Sequence, residues 1–193
     1  WLSVDTKLTV PSRFDDQRRH VELSGEAYFE VAPDADRPFT VRSGPAQVRV
    51  LGTKFGVTAY PADSSVQVVV REGSVALEPE QGATDRAATL RSGELGELSG
   101  SMSRVTTRTV NVDTYLGWID SKLDFNDAPL PDVARRLERW YDVEVQLRDE
   151  ALASRRLTAS FDDAPTASVA EIIATTLGIQ SRVEGQKIIF TTR

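Results

Sequence analysis

The sequence predicts two unlike halves: an all-β N-terminal domain of twisted, mainly antiparallel sheets or a β-solenoid-like stack, then a small α+β domain of two β-α-β repeats. Three observations predict it. Apolar residues recur at every second position from about His20 to about Val110, the period of half-buried strands. Past Asn111 the apolar spacing becomes that of a helix with one buried face. Finally, FNDAPLPDVARRL, beginning at Phe125, is echoed thirty-six residues later by FDDAPTASVAEII, beginning at Phe161. Aligned on those phenylalanines, both copies carry Asp, Ala and Pro at the next matching positions and a Val four residues after the Pro.

In the first half the strand signal rests on Val48 and Val50, on Phe55, Val57 and Ala59, on Val66, Val68 and Val70, and on Val75 and Leu77. Gly25, Gly44, Gly52, Gly73, Gly93 and Gly96 punctuate these runs, and Pro33-Asp34 and Pro61-Ala62-Asp63 supply turn chemistry. Glu78–Thr89 has no clear period and reads as a mobile loop. The expected domains are 1–110 and 118–193, joined by a linker over 111–117.

In the second half Leu130, Val133, Ala134, Leu137 and Trp140 or Tyr141 form a helical stripe, entered through Pro129 and Pro131. Val169, Ile172, Ile173 and Thr176 or Leu177 repeat the stripe, and Gly178 is placed to stop it. The matching aspartates read as ordinary helix-entry chemistry. Strands are expected at Leu123–Phe125, Val143–Leu147, Leu157–Phe161 and Gln180–Val183, with Lys187–Thr191 closing through the Glu184-Gly185-Gln186 turn. One such unit buries only one face of one helix, so two are needed to close a core.

Composition excludes several functions. The chain has 193 residues, a formal charge of −6 and no cysteine, so a disulfide framework, a thiolate metal site and a cysteine nucleophile are all ruled out. A net negative chain is a poor match for a phosphate backbone, which argues against nucleic acid as a partner. The longest apolar stretches, VQVVV at Val66 and AEIIATTLGI at Ala170, fall far short of the roughly 20 residues that span a bilayer. The opening Trp1, with no basic-then-apolar leader, reads as the start of a processed product or an excised portion of a longer protein.

The inventory for catalysis is thin. His20 is the only histidine, so a two-histidine metal site cannot exist, and no G-x-S-x-G motif accompanies it. Asp15-Asp16, Asp162-Asp163 and the pair Glu94 and Glu97 are carboxylate candidates, but adjacent aspartates on an extended chain point to opposite sides and suit solvated turns better. The Gly52 and Gly56 spacing in LGTKFG is neither a phosphate loop nor a dinucleotide fingerprint. No catalytic residue, no metal and no cofactor is predicted. Arg135, Arg136 and Arg139 with Glu138 read as the solvated back of the first helix.

Four blocks of the first half, GEAYFEVAPDADRPFTV (Gly25–Val41), VRVLGTKFGVTAY (Val48–Tyr60), VVVREGSVAL (Val68–Leu77) and LRSGELGELS (Leu90–Ser99), resemble in order and spacing the periplasmic domain of FecR-type anti-sigma factors. WIDSKLDF (Trp118–Phe125) and APLPDVARRLERWYDVEV after it resemble the C-terminal domain of the same proteins, itself similar to the short secretin and TonB N-terminal fold. The family often has glycine where Ser121 stands, which concerns the local turn. The resemblance implies the signal-receiving periplasmic region of a regulator anchored in the inner membrane by a single helix. Its implied partners are the N-terminal signalling domain of a ligand-loaded TonB-dependent outer-membrane receptor and, through a cytoplasmic segment, an extracytoplasmic-function sigma factor. No small-molecule ligand is implied.

The alternatives are a carbohydrate-binding module and an envelope-assembly subunit. The first needs aromatic platforms, whereas Phe29, Phe39, Phe55, Trp118, Trp140 and Tyr141 sit at core-facing positions; the first-half blocks count against the second. For docking, Val143, Glu144, Val145, Gln146 and Leu147 form the candidate edge: the run alternates apolar and polar residues, lacks proline and carries one charge. Proline at Glu144 or Gln146 is expected to remove an N–H from whichever edge its backbone faces.

Overall fold

The computed structural model describes residues 1–14, 19–63, 65–80, 87–99 and 104–192. The chain divides into two compact units, Trp1–Leu116 and Gly117–Arg193.

The first unit contains strands β1 (Lys7–Thr9), β2 (Arg19–Glu30), β3 (Phe39–Ser43), β4 (Ala46–Val50), β5 (Lys54–Ala59), β6 (Ser65–Glu72), β7 (Ser74–Pro79), β8 (Ala88–Arg91), β9 (Glu94–Ser99) and β10 (Val105–Thr109). They form one sheet in the order β10-β9-β6-β5-β2-β3-β4-β7-β8, with β1 also on β2. The sheet folds over on itself around β2. Arg19–Glu22 pair in parallel with β3, while Gly25–Glu30 pair antiparallel with β5.

That division follows from chain length. A straight β2 would span about 36 Å at roughly 3.3 Å per residue, and the return from Glu30 to Phe39 reaches about 32 Å at full stretch, so the strand has to bend. Gly25 lies where the partner changes and has φ +119°; a Cβ there would sit 2.4 Å from Thr6 Oγ1. That hydroxyl instead accepts the Glu26 N–H at 2.9 Å. Arg19 fastens the return, donating from Nε to Arg37 O at 2.8 Å and from Nη1 to Ala32 O at 3.2 Å. Inside the fold lie the predicted alternating residues, Val48, Val50, Phe55, Val57, Val66, Val68, Val70, Val75 and Leu77 among them, all buried. Phe29 stacks on Phe55 at 5.3 Å and tilts against Phe39 at 5.9 Å.

Two expectations need correction here. Residues 112–116, expected as linker, form a helix, α1 (Val112–Leu116), that belongs to the first unit. Leu116 is buried, and a Cβ on Gly56 would come within 2.6 Å of its Cδ2, so the bare glycine makes the room for α1 on the sheet. Of the expected loop Glu78–Thr89, Glu78 and Pro79 belong to β7, and Ala88 and Thr89 to β8; residues 81–86 lie outside the described residues.

The second unit opens with a 3₁₀ turn at Gly117–Asp120 and continues through β11 (Lys122–Pro129), α2 (Leu130–Tyr141), β12 (Glu144–Leu147), a 3₁₀ turn (Glu150–Ser154), β13 (Arg156–Asp162), α3 (Thr166–Leu177), β14 (Gln180–Glu184) and β15 (Lys187–Thr191). The two helices begin and end at matching positions of the repeat. The repeats are not β-α-β units in which the two strands share a sheet. Their first strands, β11 and β13, pair antiparallel with each other, and the second strands join a separate sheet ordered β12-β15-β14. Leu123 faces Phe161 and Phe125 faces Ala159 across β11 and β13, an exchange that relates the copies by an approximate two-fold at Asp124 and Ser160. The two repeat phenylalanines meet edge to face at 6.2 Å, a favoured aromatic geometry. One core then takes Leu130, Val133 and Leu137 from α2 with Val169 and Ile173 from α3.

The second stripe is also corrected. Val169 and Ile173 are buried as expected, but Ile172 is 46% exposed, and Ala170 and Ala174 fill the buried face with them. Alanines let α3 approach closely, and the isoleucine is left outside.

Candidate partner-binding edge

The predicted docking run sits where α2 gives way to β12. The helix ends at Asp142, whose φ of 51° is left-handed, and Val143 N–H then donates back to Glu138 O at 3.2 Å. From there β12 runs parallel to β15, Glu144 opposite Lys187 through Leu147 opposite Phe190. Among the described residues β15 is its sole strand partner, so β12 is an edge.

The ladder shows which groups face which way. Glu144 N–H donates to Gln186 O at 2.8 Å and Arg148 N–H to Phe190 O at 3.1 Å. A strand alternates its main-chain direction with a period of two; Gln146 therefore also faces β15, and Val145 and Leu147 face outward. The two proline variants at Glu144 and Gln146 both strike the internal ladder, so the open edge is tested at Val145 and Leu147 instead.

Side chains divide the other way. Val145 and Leu147 are half-buried and pack on the core beside Ile188 and Phe190. Glu144 lies on the outer face, where its carboxylate accepts from Lys187 Nζ at 3.0 Å and from Gln146 Nε2 at 2.6 Å. The Lys187 contact, then the Gln146 contact, holds the Glu144 carboxyl below the usual range. Asp149 anchors the far end of the pairing: Oδ2 accepts Thr192 N–H at 2.6 Å and the Thr192 hydroxyl at 3.0 Å. Those bonds, the backbone one foremost, hold its carboxyl below the ordinary value.

The polar back of α2 is more than a solvated face. Glu138 Oε1 accepts the Val145 N–H at 3.0 Å. Arg136 lies 5.7 Å from the Phe125 ring centroid and donates to Asp124 O at 3.2 Å. Sequence spacing offered one signal, since Glu138 is seven residues before Val145, but bringing them together needs the turn at Asp142. On the opposite edge of the sheet β14 carries Arg182 and Glu184, paired at 2.7 Å, charges of the kind that discourage strand addition.

The carboxylates considered for catalysis do not assemble. Asp162 ends β13 and Asp163 follows it with φ 45°, both exposed; Glu94 accepts the Arg91 N–H at 2.7 Å in the β8–β9 turn. Asp15 and Asp16 lie outside the described residues. His20 sits near the start of β2 opposite Thr40. Among the described residues no three His, Cys, Asp or Glu side chains are grouped to hold a metal, and no helix is long and apolar enough to cross a membrane.

Comparison with known proteins agrees with this architecture. Residues 1–76 match the FecR protein family and residues 122–190 match the FecR C-terminal family. No curated protein matches the chain. Two crystal structures, at 1.65 Å and 2.50 Å, of a candidate anti-sigma factor from Parabacteroides distasonis ATCC 8503 superpose with a TM-score of 0.90 at 28% identity. They cover 100% of this chain, and 89% and 88% of theirs. With both family matches in chain order and a fold shared along its whole length, the chain belongs to the FecR-type anti-sigma factors, a family of signalling regulators.

Proposed function

We propose that this chain is the periplasmic, signal-receiving region of a regulator anchored in the inner membrane by a single helix. It binds the N-terminal signalling domain of a TonB-dependent outer-membrane receptor and relays that receptor's ligand occupancy to an extracytoplasmic-function sigma factor through a cytoplasmic segment. Family membership supports the regulatory role. The observation that carries the docking proposal is the unpaired edge of β12, where the outward main-chain groups of Leu147 suit strand addition and the outward Val145 N–H is held by the Glu138 carboxylate rather than by a strand.

The test is calorimetric titration of receptor signalling domains from the same genome into the chain and its proline variants. Val145→Pro and Leu147→Pro each remove an outward N–H and leave the β15 ladder whole; both are expected to remain folded by circular dichroism and to weaken binding roughly tenfold or more, the scale of losing a main-chain bond with its register. Glu144→Pro, which breaks the bond to Gln186 O, is expected to destabilise the second unit. Normal binding by both open-edge variants would place the docking surface elsewhere.

A further inference from the structure

We propose that Glu138 is a gate on the β12 edge, and that an incoming strand has to displace its carboxylate before it can pair fully. This rests on the docking reading above and adds a regulator to the same edge. Glu138 holds three main-chain donors with one residue: its carbonyl accepts Asp142 N–H and, at 3.2 Å, Val143 N–H, and its Oε1 accepts Val145 N–H at 3.0 Å. Among the described residues nothing accepts from Leu147 N–H, so the edge is closed at its beginning and open at its end.

The occupant is an extended strand of the receptor signalling domain. An antiparallel partner exchanges both N–H···O bonds with every second residue of β12. At Leu147 both groups are available, so pairing nucleates there. At Val145 the incoming carbonyl competes with a carboxylate, a stronger acceptor than a neutral carbonyl. A segment able to pair only briefly stalls at Leu147, whereas one long and well matched enough to continue swings the half-exposed Glu138 side chain out to water. The gate thereby rejects chance strands at an edge that is otherwise exposed to association.

Three substitutions test it, with two readouts. Glu138→Ala removes the acceptor, Glu138→Asp keeps the charge but shortens its reach, and Glu138→Gln keeps an oxygen at the same distance. The Val145 amide is expected to exchange with solvent at least about tenfold faster in Glu138→Ala and Glu138→Asp, and near the wild-type rate in Glu138→Gln. Receptor-domain association is expected to be faster, by roughly the same factor, in the first two. Unchanged Val145 exchange in both Glu138→Ala and Glu138→Asp overturns the gate. Slower association in those variants also overturns it, because Glu138 would then be contacting the partner. If the wild-type chain binds no receptor signalling domain, the docking reading fails and the gate with it; wild-type binding with association no faster in Glu138→Ala and Glu138→Asp overturns the gate alone.

Discussion

Asp5, Ser121, Asp127, Asp142 and Asp163 have φ between 45° and 60°, in the left-handed region that costs most side chains energy and that aspartate tolerates through local hydrogen bonding. Asp127 and Asp163 occupy matching positions two residues before Pro129 and Pro165, and neither helix has a side-chain cap at those prolines. The repeated aspartate is therefore a backbone-turn residue rather than a helix cap. Asp142 and Gly178 form a second matched pair, each ending its helix in the left-handed conformation. Asp142→Gly is expected to stabilise the second unit by about 0.5–1 kcal/mol, and Ser121→Gly by a similar amount, both read from urea unfolding. Gly178→Ala should cost about 1 kcal/mol. Asp149 gives a pH test. Its folded carboxyl lies below the ordinary aspartate value, so its stabilising effect is present above that value and is lost as pH falls through the folded one. Asp149→Ala should thus be less stable than wild type at neutral pH, with the difference shrinking once pH drops below about 3.8, followed by thermal unfolding across an acid series.

Among elements, α3 separates period from phase. The period of its apolar residues announces a helix, but the buried arc takes Val169, Ala170, Ile173 and Ala174 and leaves Ile172 outside it. Packing against β13 and β14 turned the alanine-bearing side inward. Ile173→Ala should cost about 2–5 kcal/mol, as for other buried aliphatic truncations, whereas Ile172→Ala should stay within about 0.5–1 kcal/mol. Equal losses would contradict the observed phase. The edge strand makes the same distinction. Its alternation and lack of proline are legible in Val143–Leu147, yet which amides face outward depends on its register with β15.

For the whole molecule, we propose that the two units fold autonomously, since each has its own buried cluster. Fragments 1–116 and 117–193 are each expected to unfold in one cooperative transition by far-ultraviolet circular dichroism. A fragment with no such transition would show that its core depends on the other. Arg19→Ala should lower the stability of the first fragment alone, because the carbonyls it fastens, Arg37 O and Ala32 O, lie in the β2–β3 return.

Local chemistry by itself determined the alternating strands, the two equal helices, the proline entries and the Gly178 stop, because each depends on residues a few places apart. The thirty-six-residue echo likewise determined that two copies share one core. Only the tertiary structure decided that the echoed strands pair with each other across Phe125 and Phe161, that α1 docks over Gly56, and that Glu138 reaches Val145. Those outcomes arise from contacts between distant residues, where volume and the satisfaction of every main-chain group select one pairing among several that the local pattern allows equally.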